Sequence, residues 1–332
     1  MAVFTTLTKS EIEHFISSYS IGELISFEGI LQGIDNTNYK IETTKDKYIL
    51  TIFENRIDPN DLPFFLNFMG HLNLNGIICP TLLASLPESH TDSKAIQKMD
   101  SLRIDNVNSG NDELSIFMLH SKPAALFSFL DGRNLTANDI TPALCQELGI
   151  FLAKMHVAGQ KFYMTRENSM SFDAWEERLH RVGRLANSYL KILQTLKSKW
   201  PENLPSGVIH ADLFPDNIFI KDNHIYGVID FYFSCTDFLV YDLAIVMNAW
   251  CFEHQEFSYQ KWLSLLEGYQ SIRPLTQGEK DSYQIICQGA VLRFLSSRLH
   301  DFTFHDPKNL VTPKEPTEYI QKLEFHLNVK LF

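Results

Sequence analysis

The sequence predicts an α+β chain: an antiparallel, β-rich amino-terminal lobe with one main helix, then a mostly helical carboxy-terminal lobe. Three observations predict it. Short runs rich in β-branched and aromatic residues crowd the first 130 positions. From Pro142 onward, apolar residues recur three and four apart. Between the two patterns Asp131-Gly132 punctuates the chain, so the lobes are expected at 1–130 and 131–332.

Taken in order, residues 8–19 read as an opening helix, with Thr8 as cap and Glu11 at the capping-box position. Residues 26–30 and 38–43 read as strands joined by a glycine-containing loop, and 48–53 as a third strand. After Pro59-Asn60-Asp61, residues 62–73 have helical spacing. Strands are expected at 81–84, 114–118 and 124–130; the polar stretch 85–112 between the first two has little periodicity and reads as a surface insertion or mobile hairpin. In the second lobe the spacing predicts helices over 143–158, 172–199, 242–250, 259–269, 279–299 and 317–327. Two short strands, 218–221 and 225–229, flank an Asp222-Asn223-His224 turn, and 307–316 is a proline-bearing loop.

Composition narrows the function. A chain of 332 residues with 45% hydrophobic content can bury a substantial core. Its net charge of -11, with no basic stretch to offset it, argues against general nucleic-acid binding. Five scattered cysteines (Cys79, Cys145, Cys235, Cys251, Cys287) form no CxxC pair, so neither a zinc site nor a disulfide framework is indicated. Residues 1–5 lack a signal-peptide pattern, and no uncharged apolar run approaches the roughly 18 residues a membrane span needs. A reducing, cytoplasmic setting is expected.

The chemistry concentrates in Val208-Ile209-His210-Ala211-Asp212-Leu213-Phe214-Pro215-Asp216-Asn217 and, 13 residues beyond Asn217, in Ile229-Asp230-Phe231. A carboxylate in a loop, a carboxamide at its far end and a second carboxylate at the tip of the next strand suit phosphoryl transfer from ATP to a small hydroxyl compound. That reaction needs a base on the attacking oxygen and oxygen ligands for magnesium. Asp212 is the candidate base, and Asn217 and Asp230 the candidate ligands of Mg2+. Each alone would serve as a turn or cap residue; the joint pattern is far harder to reach by chance. His210 is expected to brace the loop, and Asp242 to cap a helix and tie down the catalytic segment.

Weaker signals surround this core. Backbone amides in residues 29–38, including Gly33 and Asn36, would cover ATP phosphates. Around Phe129, where the sheet lobe meets the helical lobe, adenine would meet backbone and apolar side chains. Arg293 and Arg298, on one late helix, are candidates for a substrate carboxylate, with surface or inter-helix ion pairs as the plainer alternative.

Residues 208–233 resemble the aminoglycoside-phosphotransferase and choline-kinase superfamily, whose fold is similar to that of protein kinases. The finer resemblance is to the bacterial homoserine kinases built on that fold. It runs almost end to end, through Gly33-Ile34-Asp35-Asn36-Thr37-Asn38-Tyr39, Tyr48-Ile49-Leu50-Thr51-Ile52-Phe53-Glu54, Asp61-Leu62-Pro63-Phe64-Phe65, Lys122-Pro123-Ala124-Ala125-Leu126, Ile229-Asp230-Phe231-Tyr232-Phe233-Ser234-Cys235, Asn248-Ala249-Trp250-Cys251 and Leu292-Arg293-Phe294-Leu295-Ser296-Ser297-Arg298-Leu299-His300-Asp301-Phe302. The resemblance implies a two-lobe, protein-kinase-like fold and an ATP- and magnesium-dependent phosphorylation of homoserine in threonine biosynthesis. It also implies Asp212 as catalytic base, Asn217 and Asp230 as metal ligands, and a substrate role for Tyr232. Two departures stand out. Where the superfamily carries a Lys or Arg on its third strand, this chain has Thr51, which leaves open which cation, if any, meets the phosphates, with Lys40 and Lys47 as candidates; and the 85–112 stretch is longer than the family's hairpin. The rival expectations are a kinase of choline, ethanolamine, an aminoglycoside or a sugar derivative, and a non-catalytic pseudokinase.

Overall fold

Helix α1 (Lys9–Ile16) begins as its sequence dictates: the Thr8 hydroxyl accepts the Glu11 amide, and Glu11 accepts the Thr8 amide in return. The computed structural model describes residues 4–31, 36–54, 57–86, 97–98, 113–114, 116–305 and 312–332, in two units, Met1–Asp131 and Gly132–Phe332.

In the first unit, β1 (Leu24–Ile30), β2 (Thr37–Thr43) and β3 (Lys47–Ile52) are successive antiparallel neighbours. Helix α2 (Leu62–Leu74) follows, then β4 (Ala84–Ser85), β5 (Gln97–Lys98), β6 (Glu113–Leu114), β7 (Phe117–Leu119) and β8 (Lys122–Ser128). The main sheet runs β1-β2-β3-β8-β7-β5, and β4 pairs separately with β6. Strand β2 buries every second residue, from Thr37 through Tyr39 and Ile41 to Thr43, as a half-covered strand must. Its apolar face meets Leu50, Ile52 and Leu126 of the neighbouring strands and Ile12 and Phe15 of α1. Each such side chain contributes roughly 1.5–3 kcal/mol by leaving water. The strands predicted at 81–84 and 114–118 are shorter than their apolar runs. Of the stretch 85–112, only Ser85, Leu86, Gln97 and Lys98 are described, and Gln97–Lys98 pairs with β7.

The second unit opens with β9 (Arg133–Asn134) and α3 (Pro142–Gly159). The single helix predicted over 172–199 is in fact two, α4 (Phe172–Val182) and α5 (Asn187–Lys199), joined by a 3-10 turn. Gly183 breaks it with φ +77, a conformation that interrupts helical hydrogen bonding while the apolar periodicity runs on unbroken. Strand β10 (Ser206–Ile209) leads into the motif, and β11 (Ile218–Lys221) and β12 (His224–Val228) form the expected hairpin. Asp222 and Asn223 both take positive φ in its turn, where these residue types are best tolerated. Strand β13 (Cys235–Phe238), not anticipated from the sequence, pairs antiparallel with β10. Then come α6 (Leu239–Trp250), the small hairpin β14 (Phe252–Glu253) and β15 (Glu256–Phe257), α7 (Tyr259–Ile272), α8 (Gln277–Thr303) and α9 (Thr317–Asn328).

Helices α3 and α7 cross at glycines. A Cβ at Gly149 would lie 2.1 Å from the Leu265 carbonyl oxygen, and one at Gly268 would lie 2.0 Å from that of Gln146. Backbone therefore packs on backbone, and this close approach sets Tyr269 of α7 edge-on against His156 of α3. The same pair anchors the loop that follows β10.

Candidate active site

The β10–β13 ladder ends at Ile209, and the chain turns at once into the motif loop. Ala211 sits in the left-handed region with φ +64, a conformation that costs an alanine about 1 kcal/mol. Both of its backbone groups are held by ionisable side chains. Its N–H donates to Asp242 Oδ1 at 3.0 Å, and its carbonyl accepts from Arg293 Nη1. Asp242 Oδ2 also accepts the His210 N–H at 2.9 Å. A carboxylate from α6 and a guanidinium from α8 thus fix the residue before Asp212.

Asp242 and His156 are buried together. Burial alone would raise the Asp242 carboxyl, but hydrogen bonding and charge from its neighbours, His156 first, hold it below the usual range. Burial pushes the His156 imidazole down, towards its neutral form. Neutral His156 then donates from Nε2 to Asp242 (3.1 Å) and accepts at Nδ1 from the Tyr269 hydroxyl (2.8 Å). The Tyr269 oxygen accepts in turn from Arg273 Nη1 at 3.1 Å, and Arg273 Nη2 reaches Glu279 at 2.8 Å. A fully satisfied buried chain of this kind fixes one arrangement, because any unpaired member would carry a desolvation cost.

His210 is likewise lowered by burial first. Its Nε2 lies 3.0 Å from the Ile229 carbonyl, which can only accept, so Nε2 carries the proton and Nδ1 accepts the Asp212 N–H at 3.2 Å. At the far end of the loop, Asn217 Nδ2 donates to the Asp212 carbonyl oxygen at 2.8 Å and lies 3.5 Å from Asp212 Oδ2. The Asn217 carbonyl accepts the Ile229 N–H at 3.0 Å, one residue before Asp230. Asp230 has φ +67, a second left-handed residue that turns the chain beside the loop. Trp250 Nε1 donates to the Leu213 carbonyl at 2.9 Å and closes the loop from α6. The second unit therefore gathers Asp212, Asn217, Asp230, His210 and Asp242 about one short loop.

Burial first, and the Asp230 carboxylate second, raise the Tyr232 phenol, so Tyr232 is a protonated hydroxyl beside a negative charge. With the Asn217 amide nitrogen bound to Asp212, its carboxamide oxygen is the atom left for a cation. The donor set around Asp230 is then all oxygen, which fits a hard divalent ion of the Mg2+ type and not a zinc site. No group of three or more His, Cys, Asp and Glu side chains suited to a metal occurs among the described residues.

Gly33 falls outside the described residues. In the first unit, Asn36 is buried and accepts the Glu54 N–H. Thr51 donates to Asn38 at 2.8 Å, and Lys40, on the same sheet face as Thr51, stands 5.4 Å from the Phe129 ring centre. Arg293 is 4% exposed and spent on Ala211. Arg298 pairs with Glu318 at 2.6 Å. His156, Tyr269, Arg273 and Trp250 carry the loop, yet the sequence marked only Trp250, within a phrase of the resemblance: His156 and Tyr269 sit at helical positions whose spacing reports burial and not partners, and Arg273 lies just past the end of α7.

The family described as phosphotransferase enzymes matches residues 26–275. The chain belongs to that family. Within it, a homoserine kinase of Agrobacterium fabrum is 39% identical over 338 residues, spanning 99% of this chain and 97% of its own length. A homoserine kinase of Xanthobacter autotrophicus is 40% identical over 335 residues, spanning 98% and 96%. Among solved structures, amicoumacin kinase hAmiN superposes with a TM-score of 0.66 at 15% identity, covering 97% of this phosphotransferase and 92% of that chain. Choline kinase from Cryptosporidium parvum gives 0.64 at 15%, covering 96% and 94%. At such identities the likeness concerns fold: this phosphotransferase has the kinase-like α+β architecture that its sequence led us to expect.

Proposed function

We propose that the protein transfers the γ-phosphoryl group of ATP to the side-chain hydroxyl of L-homoserine, giving O-phospho-L-homoserine for threonine biosynthesis. One observation carries the reading: the Asp212–Asn217 loop, tied off by its own hydrogen bonds, stands in a chain about 40% identical from end to end to homoserine kinases. No helix among the described residues is long and apolar enough to cross a membrane, and we place the enzyme in the cytoplasm.

In this reading Asp212 orients the acceptor hydroxyl and takes its proton as the bond to phosphorus forms. Asn217 and Asp230 hold Mg2+, which when bound neutralises charge on the ATP phosphates. Asp242 and Arg293 keep Ala211 in its costly conformation, so that the Asp212 carboxylate is placed before substrate arrives. Lys40, on the Thr51 face of the sheet, is the cation we assign to the phosphates in place of the family's strand lysine, and we assign Asn36 and Phe129 to nucleotide binding.

The test is direct. Purified protein is incubated with magnesium-ATP and a panel of L-homoserine, choline, ethanolamine, an aminoglycoside and a sugar alcohol, and the phosphorylated product is identified by mass. Phosphate on homoserine alone is the expected result. Phosphate confined to another acceptor overturns the substrate assignment, and no turnover with any acceptor overturns the enzyme.

A further inference from the structure

In the second unit a cavity of about 470 Å³ opens beside the motif loop, with Phe214, Pro215 and Asp216 on one side and Arg298, Lys314 and Glu318 on the other. Its charges are mixed and nearly balanced. Arg298 of α8 and Lys314 are cationic, Asp216 and Glu318 anionic, and Lys322 stands behind Glu318 in an ion pair. A pocket for a cationic amine would carry an excess of carboxylates, and one for a phosphate an excess of bases. This one carries both signs within one small volume, the complement of a zwitterion.

Arg298 is placed to take a carboxylate. Its Nη1 is engaged by Glu318 Oε2 at 2.6 Å and by the Glu315 carbonyl at 3.2 Å. Among the described residues Nε and Nη2 have no hydrogen-bond partner, and that pair of donors forms the two-point contact with a carboxylate. The Tyr319 ring lies 4.3 Å from the guanidinium carbon and fixes its plane. Glu318 is held ionised: burial would raise its carboxyl, but Lys322 and Arg298 together lower it. The cavity is also close to the chemistry. Its Phe214–Asp216 side begins two residues past Asp212, and the Asp212 charge is felt at Tyr319, next to Glu318 on α9.

We infer that this cavity is the acceptor site and that it reads the amino-acid end of the substrate, Arg298 with Lys314 taking the α-carboxylate and Glu318 the α-ammonium. The inference rests on the homoserine reading and deepens it: Arg298, Lys314 and Glu318 are specificity residues that reject alcohols lacking either charge. The site would accept an L-α-amino acid with a side-chain hydroxyl at the right reach.

Three acceptors separate the charges: L-homoserine, 3-amino-1-propanol, which lacks the carboxylate, and 4-hydroxybutyrate, which lacks the ammonium. Steady-state kcat and KM are measured on each for the wild-type enzyme and for Arg298→Ala, Lys314→Ala and Glu318→Gln, with thermal melting as a check on folding. Arg298→Ala is expected to lower kcat/KM for homoserine roughly 30-fold, mostly through KM, with a much smaller change for 3-amino-1-propanol. Lys314→Ala, at an exposed position, should raise the homoserine KM about fivefold. Glu318→Gln should erase the preference for homoserine over 4-hydroxybutyrate. A folded Arg298→Ala that keeps the wild-type preference for homoserine overturns the assignment. So does an equal fall on all three acceptors. If Arg298→Ala does not fold, Lys314→Ala decides, and an unmoved homoserine KM there refutes the site. Wild-type enzyme inactive on homoserine but active on another acceptor fails the activity reading itself, which the unaltered enzyme alone reveals.

Discussion

The segment from Ala211 to Asp216 has two unlike flanks, and one helix serves both with the same residue type. At Ala211, Arg293 of α8 is buried and gives Nη1 to a backbone carbonyl, opposite a buried Asp242 that takes the neighbouring amides. At Asp216, Arg298, five residues further along α8, lines a cavity with two of its donors uncommitted. A buried guanidinium that gives a donor to the loop's own backbone is a brace: exchanging it changes where the loop stands. A cavity guanidinium with spare donors is a reader: exchanging it changes what the loop's neighbour accepts. The two flanks should therefore fail in different ways.

The sharpest break comes at the residue between them. Asp212→Asn keeps the shape of the loop and removes the proposed base, so kcat should fall roughly 10³-fold while ATP still binds. Turnover and nucleotide affinity, measured on one preparation, decide it. A near-normal rate would take Asp212 out of the mechanism and leave both flanks without a centre.

Acid should loosen the braced flank first. His156 and His210 are pushed down by burial, and His326, buried elsewhere in the unit, is pushed down to about 3. For groups depressed on folding, the unfolded chain takes up protons first, so stability is complete above pH 6.5 and declines as pH falls. Three such groups give at most about 4 kcal/mol per pH unit below that point. Asp237, raised by burial, opposes the trend by no more than one proton. Unfolding midpoints recorded from pH 7.5 to 5 should drop steadily below 6.5, and His156→Asn should flatten the slope by about one proton's worth. A midpoint indifferent to pH across that range would show that these histidines are not held neutral.

Arg293→Met tests the brace itself. It keeps most of the side chain's length and removes the charged donor, leaving the Ala211 carbonyl unpaired. We expect about 2 kcal/mol of stability lost and kcat lowered, with the homoserine KM within about twofold of wild type. Arg298→Ala should show the opposite split, with KM moving and the melting temperature less so. Matching profiles for the two variants would erase the distinction.

What could be read in the sequence follows the same division. The order of Asp212, Asn217 and Asp230 along the chain fixed their neighbourhood, because a short loop and a short hairpin leave little freedom, and the Thr8–Glu11 box announced its helix outright. Gly183 leaves no mark in the pattern, because the apolar periodicity runs straight through it. Strands β10 and β13 are four residues each and lack the tight Asp222-Asn223 turn that marks the equally short β11, although they deliver both ends of the site. The brace was invisible for another reason. His156 and Tyr269 reach the loop from helices whose sequence spacing records only that they are covered, Arg273 follows just past the end of α7, and a lone polar residue in such a place names no partner. Arg293 and Arg298 looked alike for the same cause: both are arginines on one helix, and only packing tells which is enclosed.

The smallest effect sits furthest from the loop and measures how far the brace extends. Tyr269→Phe deletes one hydroxyl between His156 and Arg273 without leaving a gap. Because Asp242 keeps its contacts with the amides of His210 and Ala211, the change should cost about 1 kcal/mol and lower kcat less than threefold. Denaturant midpoints at unchanged slope give the first number and initial rates the second. A loss equal to that of Arg293→Met would mean that Ala211 is held through the whole chain from Glu279 to Asp242, so that Arg293 completes the brace without supplying it.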